Sequence, residues 1–246
     1  MDEISELRQR EVETYFNVIA RGGSDRLIRA RSFHNLGEYT DGDFGRMATL
    51  LSDADSSGSF AFLGRDADRY AETIAGLAEE GHEIVLHGHR HVACGDLPYE
   101  TAHENLSLGI EAIEDAAGVT PAGFFSPLQD LGQGTLDAAD ELGLEWLLGK
   151  TDGDVPADIT LIEPQNPYDL VLLNRGESAE ETFERLGAVT EPGAAFLFHP
   201  NMLEYYDALA EFETWVTETG PVSIESYVDG GGVGIVLDAM RPLRIE

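Results

Sequence analysis

"SFAFLGRDADRYAETIAGLAEEGHEIVLHGHRH", residues 59–91, is the stretch that decides the fold. It begins with a short apolar run at 59–63 and passes into residues 66–80, whose apolar positions recur at helical spacing. Gly81 then stands where a left-handed helix C-cap belongs. A second apolar run, 83–87, follows and ends among three histidines at alternate positions, His87, His89 and His91. Strand, amphipathic helix and strand in this order predict a βαβ unit and hence a parallel sheet.

The alternation extends both ways. Residues 2–20 read as a helix carrying Ile4, Leu7, Val12, Tyr15 and Phe16 on one stripe. "GGSD" breaks it, and 27–33 reads as a strand. A helix over 42–54 follows, with Phe44, Met47, Leu50 and Leu51 as its stripe. Beyond residue 91 come helix 98–117, strand 122–125, helix 133–142 and strand 144–148, with Gly118 and Gly143 as further C-caps. Strands near 159–162 and 169–173, helix 178–186, strand 194–198 and helix 203–218 continue the pattern. Two β-rich stretches, 222–228 and 233–238, joined by the turn "DGGG", close it. No linker, repeat or low-complexity tract interrupts. The expectation is a single domain, 1–246, of the α/β class. Its parallel strands and outer helices favour a (β/α) barrel over an open sheet.

Composition narrows the function. Forty-seven acidic residues against 15 basic ones give a net charge of −32, and Lys150 is the one lysine. A nucleic-acid partner needs a basic footprint, so that class is excluded. Acidity of this degree often accompanies disorder, but here the acids are interleaved with regular apolar segments. Adaptation to molar salt, where the Debye length is about 3 Å, fits better. One cysteine, Cys94, leaves no internal disulfide and no cysteine-rich zinc site. The N-terminal "MDEISELRQREVETYF" lacks a basic segment followed by an apolar one, and no apolar run approaches a membrane span. A cytoplasmic protein without a membrane partner is expected.

Parallel α/β folds gather their sites at the C-terminal ends of strands. The segments leaving those ends are "SFHNLGE" (32–38), "LHGHRH" (86–91), "FFSPLQD" (124–130), "LGKTDGD" (148–154) and "FLFHP" (196–200). They place His34, His87, His91 and His199 as candidates for one site, leaving His82 and His103 as surface residues. His87 and His91 are four apart where the chain leaves a strand, a spacing that lets both rings meet one ion such as zinc. The plainer alternative is a solvated strand end. His89, pointing the other way along the strand, reads as a packing residue.

From about 26 to 219, the chain resembles the polysaccharide deacetylase family of carbohydrate esterases. Residues 59–91 resemble its A-T-F-F-V strand, its helix ending in E-G-H-E-I and its metal motif, His-Ser/Thr-x-x-His. "LPYETAHENLSLGIEAIEDAAGVTPAGFFSPLQDLGQGTLDAADELGLEW" (97–146) resembles a long helix, G-x-x-P, a strand ending in F-R-x-P and a helix ending in E-L-G. "AFLFHP" (195–200) resembles the strand bearing the family's catalytic histidine. The resemblance implies a distorted (β/α) barrel and metal-dependent removal of N- or O-acetyl groups from sugars. It makes His87 and His91 metal ligands and His199 the acid that protonates the leaving group. An acetylated sugar or related small amide is the implied substrate, and the oligomeric state is left open.

Two departures stand out. The family's T-F-D-D-G motif supplies an aspartate base and an aspartate ligand. The matching "SFHN" has His34 and Asn35 instead. His34 would be a third ligand or a base, and Asn35 a weak ligand or a loop cap. The F-R-x-P arginine, which orients that base, is Phe125. Asp130, Asp152 and Asp154 are candidates for a replacement base, although solvated carboxylates are the commoner case. Two functions therefore remain in play. One is a metal-dependent hydrolase using zinc or a similar ion, with His199 and His34 catalytic and His87, His91, His34 and Asn35 at the metal. The other is an inactive barrel of the same family that binds carbohydrate or plays a structural part. Trp146 and Trp215 read as core, and Cys94 as an inert neighbour of the site loop.

Overall fold

The computed structural model describes residues 6–14 and 42–238. Helix α1 covers 6–14. In chain order there follow α2 (Gly42–Asp53), β1 (Ser59–Phe62), α3 (Ala67–Glu79), β2 (Glu83–Leu86), α4 (Tyr99–Ala117) and β3 (Gly123–Asp130). Next come α5 (Gln133–Glu141), β4 (Trp146–Lys150), β5 (Thr160–Ile162), α6 (Asp169–Asn174) and α7 (Ala179–Gly187). The last are β6 (Ala195–Phe198), α8 (Pro200–Tyr205), α9 (Leu209–Thr219), α10 (Ile224–Gly230) and β7 (Gly234–Asp238). Every residue of β1, β2, β6 and β7 is buried. Strands covered on both faces are what apolar runs without alternation produce in a parallel sheet. The class is the expected distorted (β/α) barrel of parallel strands and outer helices.

The chain divides into two compact units. The first comprises Met1–Val18, Ala61–Ala78 and Ile84–Glu163. In it β2, β3, β4 and β5 pair in parallel, with Leu86 opposite Phe124, Phe124 opposite Leu147, and Leu147 opposite Leu161. Its core includes Phe62, Ile74, Val85, Phe124, Leu136 and Trp146. Gly109 lets α4 press onto the end of β2. A Cβ there would lie 2.6 Å from Leu86 Cδ1 and 2.8 Å from the His89 nitrogen. The α4 helix ends on Gly118 at φ 69°, the left-handed cap its sequence predicts.

The second unit comprises Ile19–Phe60, Glu79–Glu83 and Pro164–Glu246. Here β6 and β7 pair in parallel, from Ala195 opposite Gly234 to Phe198 opposite Leu237. Phe196, Phe198, Phe212 and Trp215 form its aromatic core, with Phe198 and Trp215 centroids 5.0 Å apart. Trp215 donates to Thr190 Oγ1 at 3.1 Å, satisfying its buried indole N–H.

Two expected strands are helices. Residues 169–173 lie in α6, because a five-residue apolar run does not by itself distinguish strand from buried helix. The stretch 222–228 lies mostly in α10, where Ser223 Oγ accepts from the Ser226 N–H and starts the helix. The expected helix 203–218 is interrupted, α8 and α9 being separated at Tyr206–Ala208, with Asp207 left-handed at φ 54°. The expected strand 27–33 lies outside the described residues.

Candidate active site

At the end of β2, Gly88 takes φ +85°, and a Cβ on it would meet Asn105 Nδ2 at 2.7 Å. Glycine is thus needed twice over, for the left-handed backbone and for the close approach. Buried Asn105 of α4 holds the loop that follows. It accepts from the Arg90 N–H at 2.9 Å, donates to the Arg90 carbonyl at 3.2 Å, and its own carbonyl accepts from the His89 N–H at 2.8 Å. From α1, Glu11 accepts the His91 N–H at 3.2 Å and Thr14 Oγ1 accepts the Ala93 N–H at 3.0 Å. Fully buried Glu11 also pairs with Arg65 and, at 3.1 Å, with Arg90. Nothing in the sequence pattern marked Glu11, one acid among 47, or Asn105, one polar residue in a long helix.

This loop presents His87 and His91 side by side, both buried, with ring centroids 5.0 Å apart at 62°. His87 Nδ1 lies 2.7 Å from the Phe125 carbonyl. A carbonyl only accepts, so Nδ1 carries the proton and the neutral ring has its lone pair on Nε2. A backbone carbonyl behind the ring is the usual support of a metal-binding imidazole. The Phe125 ring stacks on His87 at 4.5 Å and 17°, in the place where the family resemblance put an arginine. Among the described residues no group of three His, Cys, Asp or Glu side chains gathers to hold an ion. His34 and Asn35 lie outside those residues. His87 and His91 are two adjacent imidazoles and not, among the described residues, a complete ligand set.

In the second unit, His199 follows β6 and is buried. Fully buried Asp169 at the start of α6 accepts the His199 backbone N–H at 2.7 Å and sits 2.9 Å from Nδ1. Asp238, the last residue of β7, lies 3.5 Å from Nε2 on the other side of the ring. Burial, the largest single influence, pulls the His199 pKa down. The Asp169 charge, its hydrogen bond and the Asp238 charge outweigh that, leaving the pKa raised above the ordinary histidine value. Tyr168 stacks against the ring at 5.6 Å. Neither aspartate was a candidate from sequence, since Asp169 stood in an expected strand and Asp238 near the chain end.

The remaining candidates sort simply. Asp130, Asp152 and Asp154 are exposed, as solvated carboxylates are. His89 is turned away beside Arg65 and Arg90, its pKa lowered by burial and then by those two charges. His82, expected at the surface, is buried. It packs on Phe60 at 5.1 Å and accepts from the Gly58 N–H at 3.3 Å. His103 is half-buried near Glu141, at 4.0 Å. Cys94 donates to the Val92 carbonyl at 3.2 Å, and burial pushes its thiol up to about 12, consistent with an inert packing role. Trp146 and Trp215 are core. Within β3, Leu128 and Gln129 are left-handed in succession (φ 61° and 60°), and the β3–β4 register shifts there.

A polysaccharide deacetylase family model matches residues 41–147. Among solved structures, a protein from Mycobacterium smegmatis assigned as a polysaccharide deacetylase is 22% identical over 89% of this chain and 81% of its own, with a TM-score of 0.62. A CE4-family pseudoenzyme from Bacillus anthracis is 18% identical over 80% of this chain, with a TM-score of 0.58. The chain spans 60% of that protein's length. A family 4 acetyl xylan esterase from Clostridium thermocellum, in complex with cobalt, is 15% identical over 81% of this chain and 82% of its own, with a TM-score of 0.57. At these identities the structural likeness establishes the fold. No curated protein matches the chain. Among the described residues no helix is long and apolar enough to cross a membrane.

Proposed function

We propose, on the match of the polysaccharide deacetylase family model to residues 41–147, that the chain is a metal-dependent hydrolase of acetylated amino sugars or related amides and esters. The observation that carries the reading is His199, a buried imidazole whose Nδ1 and backbone N–H are both taken by the same carboxylate, Asp169. That arrangement fixes which ring nitrogen faces Asp169 and leaves a charged imidazole able to give up its Nε2 proton.

The Phe125 carbonyl holds His87 in the tautomer a metal accepts, and Glu11 and Asn105 fix the loop carrying His91. His87 and His91 would hold a divalent ion, zinc being the best match to imidazole ligands, and His34 and Asn35 are the candidates to complete the set. Once bound, such an ion polarises the acetyl carbonyl and the attacking water. His199 protonates the nitrogen or oxygen that leaves.

The test is metal content by elemental analysis, on protein purified in high salt, for wild type, His87→Ala/His91→Ala and His34→Ala. The reading expects about one ion per chain in wild type, lost in the double variant. No ion in wild type after incubation with zinc, nickel or cobalt overturns it.

A second reading is favoured by the His34 and Asn35 substitutions and by Phe125. It is an inactive barrel that binds carbohydrate, comparable to the Bacillus anthracis pseudoenzyme. It predicts glycan binding without acetate release, even with metal bound.

A further inference from the structure

The "SFHN" segment has no carboxylate to act as base, and the structure places a buried carboxylate next to the proton donor. The β6–β7 register ends with Phe198 opposite Leu237. His199 comes directly after β6 and Asp238 is the last residue of β7, so both stand at the C-terminal strand ends, one position beyond the last register pair. Phe198 and Leu237 point into the core at 0% exposure, and alternation sends His199 and Asp238 to the other face. Both are 3% exposed. Their Nε2 to Oδ2 distance, 3.5 Å, is an ion-pair contact. Asp169 has committed one oxygen to Nδ1 and the other to the backbone N–H of His199. It holds the ring and is not placed to act on substrate. Two carboxylates buried around one ring are also costly unless that ring is positively charged.

We propose that Asp238 is the proton acceptor of the reaction and forms, with His199, an acid–base pair that returns one proton directly from Oδ2 to Nε2. The proposal rests on the hydrolase reading. Water attacks the acetyl carbonyl carbon, forming a C–O bond, and its proton passes to the Asp238 carboxylate. The C–N bond then breaks as the leaving nitrogen takes the Nε2 proton of the His199 imidazolium. Acetic acid and a free amine leave, His199 is neutral and Asp238 carries a proton. Transfer from Asp238 to Nε2 restores both groups for the next turnover. An ester follows the same course, with an alcohol leaving. In this account the imidazolium does for Asp238 what an arginine at position 125 would do for a first-motif aspartate.

Among the described residues, the groups facing His199 are Asp169 from α6, Asp238 from β7 and the Tyr168 ring preceding α6. The test titrates His199 by NMR, with labelled histidine, in the full chain as purified. The resonance is assigned by its loss in His199→Gln. In Asp238→Asn the His199 midpoint is expected to fall, with the proton still on Nδ1. Asp238→Glu should restore much of the fall. An unchanged midpoint in Asp238→Asn overturns the pair.

Acetate release from N-acetylated chito-oligosaccharides separates the proposal from its premise. Asp238→Asn is expected to lower kcat by about 10²–10⁴-fold, with KM little changed and partial recovery in Asp238→Glu. An active wild type matched by Asp238→Asn overturns the proposal and leaves the hydrolase reading intact. An inactive wild type overturns the hydrolase reading and the catalytic step with it, while the NMR midpoint still decides the pairing.

Discussion

Glu11 on the first helix accepts a hydrogen bond from the backbone N–H of His91, 80 positions along the chain. The same carboxylate neutralises Arg65 and Arg90, whose side chains are 15% and 17% exposed. One buried acid therefore sets the place of a candidate ligand and balances two cations that flank it. Glu11→Ala takes the buried carboxylate from both arginines, leaving Arg65 its weaker contact with Asp66 at 3.4 Å. We expect a loss of about 3–5 kcal/mol, the range for breaking one side of a buried pair. Chemical denaturation of wild type and variant at equal salt checks this. A loss under about 1 kcal/mol, typical of a solvated pair, contradicts it.

Gly88→Ala places a Cβ at φ +85° and against Asn105. The backbone penalty alone is about 1–3 kcal/mol, and Asn105 must move, loosening the loop from Gly88 to His91. A lower melting temperature and a weaker zinc affinity are expected together. Gly81→Ala is the control. Its φ is also positive, +86°, but a Cβ there meets nothing within 4 Å. It should lose stability without losing metal affinity.

The raised pKa of His199 has a definite consequence for pH. A folded value above the unfolded one contributes stability that is complete below the ordinary histidine value, about 6.5. That contribution is lost as pH rises through the raised value. His82 and His89, whose values are lowered chiefly by burial, act in the opposite sense. The difference between wild type and Asp169→Asn therefore isolates His199. It should be largest in acid and shrink as pH rises through the folded value. A difference independent of pH between 5 and 9 would contradict the assignment of the raised value to the Asp169 contact.

A net charge of −32 predicts that salt stabilises the fold. Screening shortens the Debye length from about 10 Å at 0.1 M to about 3 Å at 1 M, which removes most repulsion between surface carboxylates. Thermal melts in potassium chloride should rise steadily from 0.1 to 2 M. A flat or falling curve would remove the salt-adaptation reading.

Much of this architecture was legible from hydropathy. The βαβ unit at 59–91 emerges within a residue or so of its expected bounds, because each apolar run is short and is ended by a glycine or a polar cluster. The pairing of His87 with His91 was legible for the same reason, being local. Asp169 and Asp238 were not, since they reach His199 through helix placement and strand register, which a linear pattern does not carry. The helices at Asp169–Asn174 and Ile224–Gly230 were misread because β-rich composition hid a short buried helix in one case and a serine cap in the other. Glu11 and Asn105 escaped notice because their importance lies in the backbone groups they hold far along the chain.

The central claim is hydrolysis with His199 as proton donor. Its most direct test is acetate release by zinc- or cobalt-loaded protein in molar salt, from N-acetylated and O-acetylated oligosaccharides, for wild type and His199→Asn. The account predicts turnover by wild type and a fall of about 10²–10⁴-fold in kcat in the variant, with metal content unchanged. No release by the loaded wild type on either substrate class, or equal rates in wild type and variant, would contradict it.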